Sequence, residues 1–166
     1  MKCTDILCDT NIDNWSWKTS VLNERIIGKK QLVFLIEDEE GEKFGYYLNT
    51  EIIEKYWETI ETDNNSFEFN LQSNKNRLEQ PIKFEIKNRN GGYYLREKSH
   101  ERLIALGDIS LCKENKKNES LCFQNEDLFD YHGIEKALCG KTRYFDNRQW
   151  KGEYFTPKRI LVIQMK

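Results

Sequence analysis

The sequence predicts a mainly β domain: two antiparallel sheets packed as a sandwich, with helices at the periphery. Three observations predict it. Short apolar or alternating runs recur along the chain, separated by turns rich in Gly, Asn and Asp. Helical periodicity is confined to two stretches. With 166 residues, 38% of them hydrophobic and 13% aromatic, the chain has the length of one domain, residues 1–166, and can bury a core.

Taken in order, residues 5–8 (DILC) read as a short strand and DTNIDN as a polar turn. Ser16 is placed to cap a helix through residue 27 that Gly28 terminates. Trp17, Val21, Leu22 and Ile26 then fall near one face. Residues 32–36 (LVFLI) are an unbroken apolar run, short enough for a strand buried on both faces. Residues 44–48 are a second such run. The acidic link between them, residues 37–42, reads as the exposed tip of a β-hairpin, with Gly41 supplying a positive φ. An EF-hand calcium loop does not fit there, because counting back from Gly41 puts its first ligand at Ile36, which has no ligand oxygen.

Residues 51–61 repeat Ile52, Ile53, Tyr56, Trp57 and Ile60 at a helical period. SFEFNL, IKFEIK and YYLRE read as strands, with RNGG as a turn. LIALGDISLCKE gives two strand pieces around Gly107, and SLCFQN another strand. Residues 126–159 read as irregular, with one helical turn near residues 134–138. RILVIQMK closes the fold as an apolar strand central in a sheet.

No apolar run approaches the length that spans a bilayer, and the first residues lack the apolar segment of a signal peptide. The expectation is a cytoplasmic protein, with the nucleus as the second compartment. The sequons at Asn14, Asn64 and Asn118 are then chance matches. Five scattered cysteines, at 3, 8, 112, 122 and 139, form no C-x-x-C pair, which argues against a disulfide framework and a structural zinc site. Most read as small core residues, with Cys122 and Cys112 kept as redox candidates. LCGKTR contains the GKT of a phosphate-binding loop, but Glu135 stands where its first glycine belongs. His100 and His132 have no nucleophile or acid held to them by a local motif. No catalytic, metal or cofactor constellation emerges.

Residues 136–166 carry eight basic side chains against two acidic ones. Within them Lys141, Arg143, Arg148, Lys151, Lys158 and Arg159 alternate with aromatics, the pattern that binds single-stranded nucleic acid by stacking and phosphate contacts. The competing reading is a loop whose aromatics pack while its cations stay wet.

The order of motifs resembles the TLDc domain (the TBC/LysM-associated domain). DILCDTNIDNWSWKTSVL is similar to its opening strand, turn and Ser-led helix. LVFLIEDEEGEKFGYYLN is similar to its most legible stretch, and SFEFNL, LIALGDISLCKE, ESLCFQN and ILVIQMK follow in the family's order. Fewer glycines follow Gly107 than the family usually has. Its closing strand usually carries Glu and Trp where this chain has Val162, Ile163 and Gln164, and residues 138–159 are unlike the better-known members. The resemblance implies a two-sheet sandwich without an agreed active site, a role in oxidative-stress resistance, and a protein partner in the V-type ATPase. Gly41, Phe44, Gly45, Phe67, Phe69, Gly107 and Phe123 match family positions. They are assigned to fold, the glycines to turns and close strand approach and the phenylalanines to the core.

Overall fold

Strands dominate the computed structural model, which describes residues 2–141 and 152–166. In chain order they are β1 (Cys3–Asp9), β2 (Leu32–Asp38), β3 (Lys43–Leu48), β4 (Thr59–Ile60), β5 (Phe67–Gln72), β6 (Ile82–Glu85), β7 (Tyr93–Leu95), β8 (Arg102–Leu106), β9 (Ile109–Cys112), β10 (Ser120–Phe123), β11 (Gly152–Phe155) and β12 (Pro157–Met165). They form two six-stranded antiparallel sheets, ordered β1-β12-β2-β3-β5-β6 and β11-β10-β9-β8-β7-β4. The expected two-sheet architecture is present, and β12 is an interior strand as expected.

The core lies between the sheets. The first contributes Leu32, Phe34, Ile36, Phe44, Tyr46 and Val162, and the second Leu95, Ile104, Leu106, Ile109, Leu111 and Phe155. The β2 run is buried on one face only. Leu32, Phe34 and Ile36 point inward, while Val33 and Leu35 lie partly buried on the other side.

Both predicted helices give way. The first shrinks to α1 (Leu22–Ile26), burying Leu22 and Ile26. Lys18 takes a positive φ of 68°, which an α-helix cannot continue through, and Trp17 stays about half exposed. Residues 51–61 form no helix, because their backbone groups are used elsewhere. Ile52 bonds in both directions, its N–H to Lys29 and its carbonyl to the Gly28 N–H, and the Ile53 N–H donates to the Tyr93 hydroxyl at 2.8 Å. Trp57 has a φ of 66°. A propensity pattern is overridden here by tertiary partners. The expected helical turn at residues 134–138 is irregular chain, and the stretch expected to be irregular contains β11, paired with β10.

The alternation of β5 runs opposite to the sequence reading. Its register sets Asn70 opposite Phe44 and Glu68 opposite Tyr46, so Glu68 and Asn70 face the core. Phe67 and Phe69 therefore lie on the outer face with Tyr47 and Gly45. Phe44 is a core residue as expected; Phe69 is buried and Phe67 partly buried, but both lie outside the cluster between the sheets. Phe123 also faces outward, against Gly152, while Cys122 takes the inward position.

The acidic hairpin forms, with Gly41 at φ +84°, but its tip is only partly exposed. Glu39 and Glu40 face water, whereas Asp38 and Glu42 are each 1% exposed. Asp38 turns inward because its Oδ1 accepts the Glu40 and Glu42 N–H groups, both at 2.9 Å. Gly41→Val is expected to cost about 1–2 kcal/mol, the penalty for a side chain in the left-handed region. A Cβ there meets no atom within 4 Å, so the cost is conformational. Replacing Glu39 and Glu40 together by Gln should stay within about 0.5 kcal/mol. Thermal melts of both variants check the contrast.

Candidate functional site

The inverted β5 builds a feature on the solvent side of the first sheet. Two rows of side chains cross neighbouring strands. One runs Ile6, Ile163, Val33, Tyr47, Phe67 and the next Leu161, Leu35, Gly45, Phe69. Ile6 is 60% exposed and Leu71, further along β5, is 42% exposed. Between β2, β5 and β6 the rows enclose a groove of about 310 Å³ walled by Val33, Leu35, Phe67, Phe69, Leu71 and Ile82. Tyr47 and Phe67 rings sit 5.1 Å apart, and Lys83 Nζ lies 4.5 Å from the Phe67 ring centre. The next cross-strand row is polar: Arg159, Glu37 and Lys43. An apolar floor with a charged border is the anatomy of a protein-docking surface.

A second constellation lies inside. Glu68 of β5 and Asp108 of the β8–β9 turn are 0% and 3% exposed. Glu68 Oε1 accepts the Asp108 N–H at 2.7 Å, and Asp108 Oδ2 accepts the Asn125 N–H at 2.6 Å. The hydroxyl of Tyr131 bonds Glu68 Oε2 and lies 2.7 Å from Asp108 Oδ2. Burial is the main cause that raises the Glu68 carboxyl well above its ordinary range, with the Asp108 charge adding to it. Burial also lifts Asp108 to about 6. Gly107 leaves room for this cluster, since a Cβ on it would sit 2.6 Å from Glu68 Oε1. The cluster ties one sheet to the other, and its two carboxyls are closed off from solvent. Sequence reasoning missed all three residues, because no local motif links positions 68, 108 and 131.

The other sequence candidates are scattered. Cys112 and Cys122 are both buried, and burial pushes both thiols up, Cys122 far more, where it also lies against Cys139. Protonated, enclosed thiols are poor nucleophiles. Of the basic set, Arg143, Arg148 and Lys151 fall outside the described residues. Lys158 bonds Glu37 at 2.8 Å, Arg159 grips Asp9 through two nitrogens at 3.0 and 2.6 Å, and Lys141 donates to the Tyr154 carbonyl with Glu40 at 3.5 Å. These three cations are already engaged by the chain's own groups. In the LCGKTR stretch, residues 138–139 form a turn, and Leu138, Cys139 and Gly140 are buried. Among the described residues no helix is long and apolar enough to cross a membrane. In comparisons with known proteins, no family model matches the sequence, and no curated protein matches it.

Proposed function

We propose that this protein is a non-catalytic docking module of the TLDc type that binds a partner protein through the outer face of its first sheet. The observation that carries the reading is the apolar groove of Val33, Leu35, Phe67, Phe69, Leu71 and Ile82. A chain that sets two phenylalanines of one strand on the outer face of its sheet, and two polar residues of the same strand toward the core, leaves that outer face apolar. A partner that covers the groove buries what remains exposed of it. The occupant is a short apolar protein segment flanked by acids, apolar to fill the groove and acidic to meet Lys83 and Lys43 on its border. The order of motifs along the chain supports a subunit of the V-type ATPase as that partner, and oxidative-stress resistance as the setting.

The test is capture from lysate of peroxide-treated cells with the wild-type chain and with Val33→Lys/Leu71→Asp. Enrichment of an ATPase subunit is expected with the wild type and a loss of about tenfold or more in affinity with the double variant, the scale of removing about 1.4 kcal/mol of contact. Both substitutions replace solvent-side residues, so the melting temperature should hold. Equal capture by both chains would remove the groove as the docking site. Enrichment of nucleic acid in place of protein, lost in high salt, would favour the basic segment 141–159.

A further inference from the structure

We infer that residues 124–134 form a proton-held strap: Glu68 keeps its carboxyl proton at neutral pH and donates it to Tyr131, Tyr131 donates to Asp108, and loss of the Glu68 proton loosens the strap.

A tyrosine hydroxyl carries one proton, and an ionised carboxylate can only accept. Tyr131 nevertheless contacts an oxygen of each carboxyl. Both contacts are hydrogen bonds only if one carboxyl is protonated and donates to the tyrosine oxygen. Asp108 Oδ2 already accepts the Asn125 N–H at 2.6 Å, so it is the acceptor end. Glu68 Oε2 has no partner but Tyr131 among the described residues. The extra proton therefore sits on Glu68 Oε2. The titratable groups facing the pair are all acids: Tyr46 from β3, Cys122 from β10 and Tyr131 from the strap. Among the described residues no lysine or arginine bonds either carboxyl. With no cation to balance a second charge, two ionised carboxylates cannot both be served here.

The proton matters because of what Tyr131 belongs to. Its segment leaves β10 and crosses from the β8–β9 turn to the free edge of β6. Asn125 is fixed to Asp108, the Leu128 carbonyl accepts the Lys87 N–H at 2.8 Å, and the Asp130 N–H donates to Glu85 at 2.9 Å. Phe129 is fully buried beneath it, edge-on to Tyr46. Tyr131 bonds a carboxyl from each sheet's side of the sandwich, Glu68 of β5 and Asp108 of the β8–β9 turn. The sign follows from linkage. Both carboxyls hold protons more tightly folded than unfolded, so the cluster's stabilisation is complete below about pH 4. It declines as pH rises through about 6 at Asp108, and again where Glu68 ionises.

The test is carboxyl-carbon NMR of the wild-type chain across pH. Glu68 should remain in its protonated form at neutral pH. A Glu68 resonance already in its ionised form there overturns the proposal without any variant. Glu68→Gln supplies the second arm, since its amide donates to Tyr131 as the neutral acid does but cannot ionise. From neutral pH upward the urea midpoint of the wild type should fall relative to that of Glu68→Gln, and a dye that binds exposed apolar surface should brighten in the wild type alone. Parallel midpoints would show that the proton holds nothing. If Glu68→Gln does not fold, the carboxyl-carbon titration of the wild type decides alone.

Discussion

Phe44→Ala is expected to destabilise the fold by about 3–5 kcal/mol, the range for truncating a large buried aromatic. Phe44 is fully buried on the inner face of β3, and its ring meets that of Phe155 edge-on at 5.1 Å. The two rings belong to different sheets, so the pair is part of what holds the sheets face to face. Alanine removes the transfer free energy of the ring and leaves a cavity that two rigid sheets close only partly. Phe67→Ala provides the contrast. Its side chain lies on the outer wall of the groove, so its truncation should cost far less stability and act on partner binding instead. Urea unfolding of both variants reads the difference, through a large midpoint shift at unchanged slope for Phe44→Ala. Equal costs at the two positions would mean that the register of β5 described above is wrong.

Gly45→Ala should be nearly as damaging, at about 3 kcal/mol, the upper end of the cost of overpacking. A Cβ at this position would lie 1.9 Å from the Phe34 carbonyl oxygen and 2.7 Å from the Phe69 ring. The first obstacle is backbone of an interior strand, bonded on both sides, and it cannot retreat without disturbing the sheet. The second is the wall of the groove. A single added methyl group should therefore lower the unfolding midpoint and displace Phe69. A variant that melts like the wild type would contradict the close approach of β2 and β3. The same clash explains why the sequence places a glycine inside an otherwise aromatic strand.

Much of this architecture was legible because strand signals are local. The apolar run at residues 32–36, the glycine-bearing turn at 41 and the Leu-Gly-Asp turn at 106–108 each carry their own instruction, and a strand and two turns form there. The failures occur where the deciding partner is distant. Alternation in Phe67, Glu68, Phe69, Asn70 gives a period of two but not which half faces inward. That is set by pairing with β3 and by the hydrogen-bond partners that Glu68 must find at Asp108 and Tyr131, some 40 and 63 positions away. Residues 51–61 show the helical period, yet Tyr93, from a strand 40 positions later, takes the Ile53 N–H. The groove was invisible for the same reason. An apolar run reads as doubly buried until the face opposite the core is seen to be only partly covered among the described residues.

The place of β12 has a consequence for how the molecule is made. β1 stands at the margin of its sheet and pairs with β12 alone, across a separation such as the 160 positions between Thr4 and Gln164. β2 likewise waits for β12 on one side. A ribosome releases β1 and β2 long before their shared neighbour leaves the exit tunnel, so vectorial synthesis cannot complete this sheet strand by strand. The β2–β3 hairpin, closed by a short turn, forms early, and the final strand must then insert between two segments already waiting. Such long-range closure is slow, and until it happens two apolar strand edges are open to other nascent chains. Assembly of this protein is therefore most vulnerable in the interval between the translation of residue 38 and that of residue 165.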